Sequence, residues 1–168
     1  MRQLRWVVIL SFLATPAIAG NQVRAPAQSK SAAFEKLRSL VGTWKEAGPG
    51  GQGFTTRFER VAGGTAIMET LTEPGGSTMV TLYHADGGEV LLTHYCDMGD
   101  QPRMRGTLEA DSIRFTFVDV TNLKGPEMPH MHDLTISWKG PDHILERWIV
   151  AAGSRRTPLV LDLKRAAS

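Results

Sequence analysis

The chain has 168 residues, with 19 lysines and arginines against 17 aspartates and glutamates, a formal charge of +2. Its single cysteine excludes an internal disulfide, so the fold must stand on an apolar core. Arg2 and Arg5 carry the whole excess of charge; the remainder, 17 basic against 17 acidic residues, offers no electrostatic footprint for nucleic acid or anionic lipid.

Residues 1–19, "MRQLRWVVILSFLATPAIA", have the three parts of a secretory signal. Arg2 and Arg5 make a positive start, Trp6 to Ala14 an apolar run, and Ala17-Ile18-Ala19 a small-x-small cleavage site. The apolar run is too short to span a bilayer as a helix, and no cysteine near the cleavage point suggests a lipid anchor. The expected product is exported, periplasmic or secreted, without a membrane anchor in the mature chain. Residues 20–31, "GNQVRAPAQSKS", read as a flexible linker. Ser31 is a candidate N-cap for a short amphipathic helix, because Phe34, Leu37, Leu40 and Val41 follow at helical spacing.

Beyond Val41 the texture changes. Short runs rich in Thr, Val, Ile, Phe and Tyr alternate with turn signals such as "AGG", "EPGG", "ADGG", "DMGDQP", "EADS", "KGPD" and "AAGSRR". The runs number about ten, with no second helix, a pattern of antiparallel hairpins in series. Ten such strands dispose of their edges by closing, so residues 32–168 are expected to form one all-β domain, an up-and-down antiparallel barrel. A two-sheet sandwich is the alternative, disfavoured by the short connections.

"LVGTWK" at 40–45, a Gly-x-Trp opening the first strand after a short helix, resembles the start of the calycin superfamily, which holds lipocalins, fatty-acid-binding proteins and nitrobindin-like haem barrels. The resemblance implies that Trp44 packs at the closed barrel end beneath a basic residue of the last strand, Arg165 or Lys164 in "LVLDLKR". The string "THYC…QPRMR" also looks like a recurrent feature of small exported bacterial barrels.

In a meander, alternate turns share a rim. The polar stretch "THYCDMGDQPRMR" at 93–105, the end of the strand near 112–119 and the start of "MPHMHD" at 128–133 therefore meet at one mouth. Candidate ligand-binding residues there are His94, Cys96, Arg103, Arg105, Asp119, His130 and His132. Two-residue spacing puts His130 and His132 on one face with Leu134, Ile136 and Trp138, competent for a transition metal with His94, Cys96 or Asp119 as the third ligand. Cys96 shares parity with His94, so a thiolate–imidazole pair is open to it; a small buried hydrophobe is the blander reading. Arg103 and Arg105 either clamp an anion inside the barrel or stand in solvent while Met104 points inward. Asp119 follows Ile113, Phe115 and Phe117 and is expected to close an inward stripe. Glu69 and Glu146 sit mid-strand among apolar neighbours; an outward salt bridge is favoured for them over an inner polar anchor. Asn122 is expected to cap its own turn, and His84 and His143 to be exposed.

The expected function is binding of a small amphiphilic or hydrophobic ligand in the cavity, its polar head at the open rim, by a monomer or homodimer. Two alternatives stay open: a haem or transition-metal barrel with a rim histidine as ligand, and a small enzyme using the His94/Cys96 neighbourhood.

Overall fold

The computed structural model describes residues 31–48 and 52–167; the expected signal segment and nearly all of the linker lie outside the described residues. Helix α1 spans Ala32–Arg38. Ser31 caps it as expected: its Oγ accepts from the Phe34 N–H at 3.3 Å and donates to the Gly88 carbonyl at 3.1 Å, tying the helix start to a strand turn. Phe34 and Leu37, with Leu40 just beyond, are buried and plug one end of the barrel.

Ten strands follow among the described residues: β1 Gly42–Glu46, β2 Thr55–Val61, β3 Ala66–Thr72, β4 Thr78–Asp86, β5 Glu89–Tyr95, β6 Gln101–Glu109, β7 Ser112–Thr121, β8 His130–Gly140, β9 His143–Ala152 and β10 Arg155–Arg165. Each pairs antiparallel with the next, and β1 pairs with β10, so the sheet is a closed barrel rather than a sandwich. Closure satisfies the edge N–H and C=O groups that an open sheet would expose. Alternate residues face the lumen: Ile67 and Leu71 on β3, Val90 and Leu92 on β5, Ile113 and Phe115 on β7, Leu161 and Leu163 on β10 are all buried. Gly106 on β6 faces inward because a Cβ there would lie 2.4 Å from the Phe115 ring.

Trp44 and Arg165 are direct partners across the β1–β10 seam. Trp44 is fully buried, and its Nε1–H donates to the Leu40 carbonyl at 2.7 Å. The Arg165 guanidinium lies 4.2 Å over the indole centroid and donates to the carbonyls of Ser39 and Val41 at 2.9 and 3.0 Å and to Asp142 at 2.8 Å. Gly42 has φ +133°, and a Cβ there would stand 2.8 Å from Arg165 Nη1, which explains the glycine of Gly-x-Trp. Arg165→Ala is expected to destabilise by about 2 kcal/mol in urea unfolding, with Arg165→Lys recovering less than half, because an ammonium lacks the fork that serves several acceptors at once.

Two irregularities reset side-chain direction near the other rim. Between β6 and β7, Arg103 pairs with Asp119 but Met104 pairs with Phe117, leaving Val118 as an extra residue. Between β8 and β9, Met131 pairs with Val150 and Asp133 with Ile149, leaving His132 unmatched. Each inserted residue inverts the inward–outward alternation beyond it.

Candidate functional site

Inside the barrel the polar groups form one connected cluster. Glu69 on β3, Thr81 on β4 and His94 on β5 lie side by side in register, and all three are buried. Glu146 and Trp148 reach the same cluster from β9. Glu69 accepts from Thr56 Oγ1 at 3.0 Å and from Tyr83 Oη at 2.5 Å, and the Glu146 carboxyl neighbours it. Glu146 in turn accepts from Trp148 Nε1 at 3.3 Å. The outward salt bridge favoured for Glu69 and Glu146 is therefore corrected. They follow the inward parity of Ile67, Leu71 and Ile144; the Thr56 and Tyr83 hydroxyls replace the water Glu69 gives up, whereas Glu146 has the Trp148 indole on one oxygen and no partner among the described residues on the other.

Burial raises both carboxyls above their ordinary range, Glu146 furthest, while the Tyr83 and Thr56 hydroxyls draw Glu69 back down. Burial thus favours the protonated form of both carboxyls, most strongly that of Glu146. Burial and then the two carboxyls push the Tyr83 phenol well up, so it donates. Tyr83 gives its proton to Glu69, and Thr81 Oγ1 and His94 Nδ1 hydrogen-bond at 2.9 Å. His94 Nε2 has no partner among the described residues. Burial lowers this imidazole to about 4, against a smaller upward pull from Asp97. Its ring sits 5.0 Å from that of Trp148.

The open rim collects the β5–β6 turn and the β7–β8 loop. The Asn122 side chain donates to the Gly99 carbonyl, so it bridges the two loops instead of capping its own turn. Asp100 is only 3% exposed, near the Cys96 thiol and the His130 imidazole. Met98, Asp100, Asn122, Leu123, Lys124, Met128 and Pro129 line a cleft of about 230 Å³ between these loops.

Several rim candidates lie elsewhere. Met104 is fully buried, so Arg103 and Arg105 face solvent. Asp119, expected inward, is turned out by the Val118 bulge and holds Arg103 in a bidentate pair at 2.6 and 2.5 Å. Arg105 pairs with Asp86 and Glu89 at 3.1 and 2.8 Å. No internal anion clamp forms from these residues. The His130 and His132 rings lie 5.9 Å apart and tilted by 43°, although His132 occupies the β8 bulge. Phe117 stacks on His132 at 4.4 Å and lies 5.6 Å from His130. His132 spends both nitrogens, on Asp133 at 3.0 Å and Arg156 at 3.4 Å, and His130 Nδ1 donates to the Met128 carbonyl at 3.1 Å. Among the described residues no three His, Cys, Asp or Glu side chains gather as a metal-binding group. His84 is exposed as expected, whereas His143 is half-buried against Asp162 at 2.8 Å.

Cys96 is buried, and its thiol meets Asp97 at 3.6 Å, while His94 Nδ1 is committed to Thr81. Burial, with the neighbouring aspartates, pushes the thiol up to about 11. Iodoacetamide at pH 7.5 is therefore expected to label Cys96 at least about tenfold more slowly in the folded protein than in urea.

The sequence reading missed Thr56, Thr81, Tyr83, Trp148 and Asp100. The alternation of Met79, Thr81 and Tyr83 with exposed or half-exposed neighbours in "TMVTLYH" was a signal for two of them.

No protein-family model matches the chain, and no curated protein matches it. Among solved structures, it is similar to the crystal structure of Rv2717c from M. tuberculosis, with a TM-score of 0.54 and 18% identity over 81% of this chain and 98% of that one. The likeness is one of fold. A barrel of this kind can hold a ligand.

Proposed function

We propose that the protein is an exported, calycin-like barrel that carries a small, mainly apolar molecule in its lumen, with a polar group of that molecule on His94. One observation carries the reading: the buried Nε2 of His94, without a partner among the described residues. An unpaired buried ring nitrogen costs on the order of 1–3 kcal/mol, a cost that phenylalanine in its place would avoid. A hydrogen-bonding group supplied by a ligand removes that cost. The lumen supports the chemistry, since its buried titratable groups are Glu69, Tyr83, His94 and Glu146, with no lysine or arginine among the buried described residues. That lining suits an uncharged polar group better than a fatty-acid carboxylate. The Trp44–Arg165 stack supports the calycin relationship, and the leader-like residues 1–19 support export.

The test is solvent extraction and mass spectrometry of protein purified from the exported fraction, beside its intact mass. A stoichiometric small molecule, lost in His94→Phe, is expected. An empty extract, together with no quenching of Trp148 fluorescence by any apolar probe, would count decisively against the reading.

A second reading, haem binding, draws on the same atom: an imidazole whose Nδ1 is held by Thr81 and whose Nε2 is free has the donor set of an axial ligand. It requires a Soret band on haem addition that His94→Phe abolishes. No band removes it.

A further inference from the structure

Besides His94 Nε2 and Glu146 Oε1, a buried group at the mouth lacks a partner. Neither carboxylate oxygen of Asp100 has a hydrogen-bond partner among the described residues, and Asp100 is one of the residues around the cleft between the β5–β6 turn and the β7–β8 loop. The lips of that cleft are Met98 and Met128, each nearly half exposed, with Leu123 and Pro129. Flexible thioethers suit the methylene groups of a variable ligand. Lys124 stands on the same cleft and makes no ion pair with Asp100 among the described residues.

We propose that the ligand is an organic cation, an amine with an apolar body, whose ammonium is received by Asp100 in the rim cleft. This rests on the carrier reading above and adds the ligand's charge. A buried carboxylate without donors is expensive in the free protein, and an ammonium brings both charge and donors to it. Asp97, in the same turn, adds to the negative potential there; His130 opposes it, and its Nδ1 is already held by the Met128 carbonyl. A carboxylate or phosphate headgroup would face Asp97 and Asp100 together.

Fluorescence titration with three dansyl probes tests this: dansylcadaverine, which carries a primary ammonium, neutral dansylamide, and dansylglycine, which carries a carboxylate. The ammonium probe is expected to bind at least about tenfold more tightly than the other two. Asp100→Asn should remove that preference. The same variant should melt higher than the parent when free of ligand, which shows that it folds. Equal binding of all three probes, or a preference for the carboxylate held by Lys124, overturns the cationic ligand and leaves the carrier reading standing. Failure of every probe to bind or to quench Trp148 overturns both.

Discussion

Glu69→Leu is expected to destabilise the protein by about 3–5 kcal/mol, although leucine fits the site and is more apolar. The reason lies in what Glu69 accepts. Thr56 and Tyr83 direct donors at it, and the whole group is buried. Removing the acceptor leaves two hydroxyls unmatched in a medium that cannot solvate them, each costing on the order of 1–3 kcal/mol before relaxation. Glu146→Gln should cost less than about 1 kcal/mol, because an uncharged amide matches the form that burial favours for this carboxyl. Urea unfolding followed by tryptophan fluorescence and circular dichroism measures both. A Glu69→Leu protein as stable as the parent would show that the cluster does not act as a connected unit. Large loss in Glu69→Leu beside near-neutrality in Glu146→Gln is the pattern that assigns the acceptor role to Glu69 and the uncharged form to Glu146.

The second large effect is a pH dependence belonging to His94. Its folded-state value is lowered from 6.5 to about 4 by burial. A depressed value means that the unfolded chain takes up the proton first as pH falls. The stabilisation is therefore whole above pH 6.5 and is lost progressively down to about pH 4. The linked free energy is on the order of 3 kcal/mol. Glu146 and Glu69 act in the opposite sense. Their values are raised, so their contribution is complete below about pH 4.5 and declines as pH rises toward the folded-state values. The parent protein's profile blends the two and is flatter than either. Subtracting the profile of His94→Gln isolates the histidine: the difference between parent and variant should shrink by about 3 kcal/mol between pH 7 and pH 4. A difference that stays constant would mean that His94 gains its proton in the folded state as readily as in the unfolded chain.

The Arg103–Asp119 pair offers a contrast. Both side chains are about half exposed, so solvent and salt screen them, and the pair contributes little to stability despite its bidentate geometry. The sequence leaves Arg103 open between the pocket and solvent and points Asp119 inward. The structure puts the pair on the outer wall, and the hydroxyl–carboxyl–imidazole cluster occupies the lumen instead.

The amino-acid sequence by itself determined the barrel. Alternating apolar residues and glycine-marked turns mark about ten strands, and short connections between antiparallel strands leave a closed meander as the economical way to pair every edge. It also determined the Trp44–Arg165 end, because that pairing needs only the first and last strands to meet. Only the tertiary structure decided the site. One extra residue at Val118 and another at His132 invert every side chain beyond them, and local pattern does not show which strand takes up a bulge. The direction of Glu69 and Glu146 was likewise undecided along the strand, since an isolated carboxylate among apolar neighbours is unfavourable inward. It becomes favourable for Glu69 when Thr56 and Tyr83 complete its hydrogen bonds, and those partners are distant in sequence.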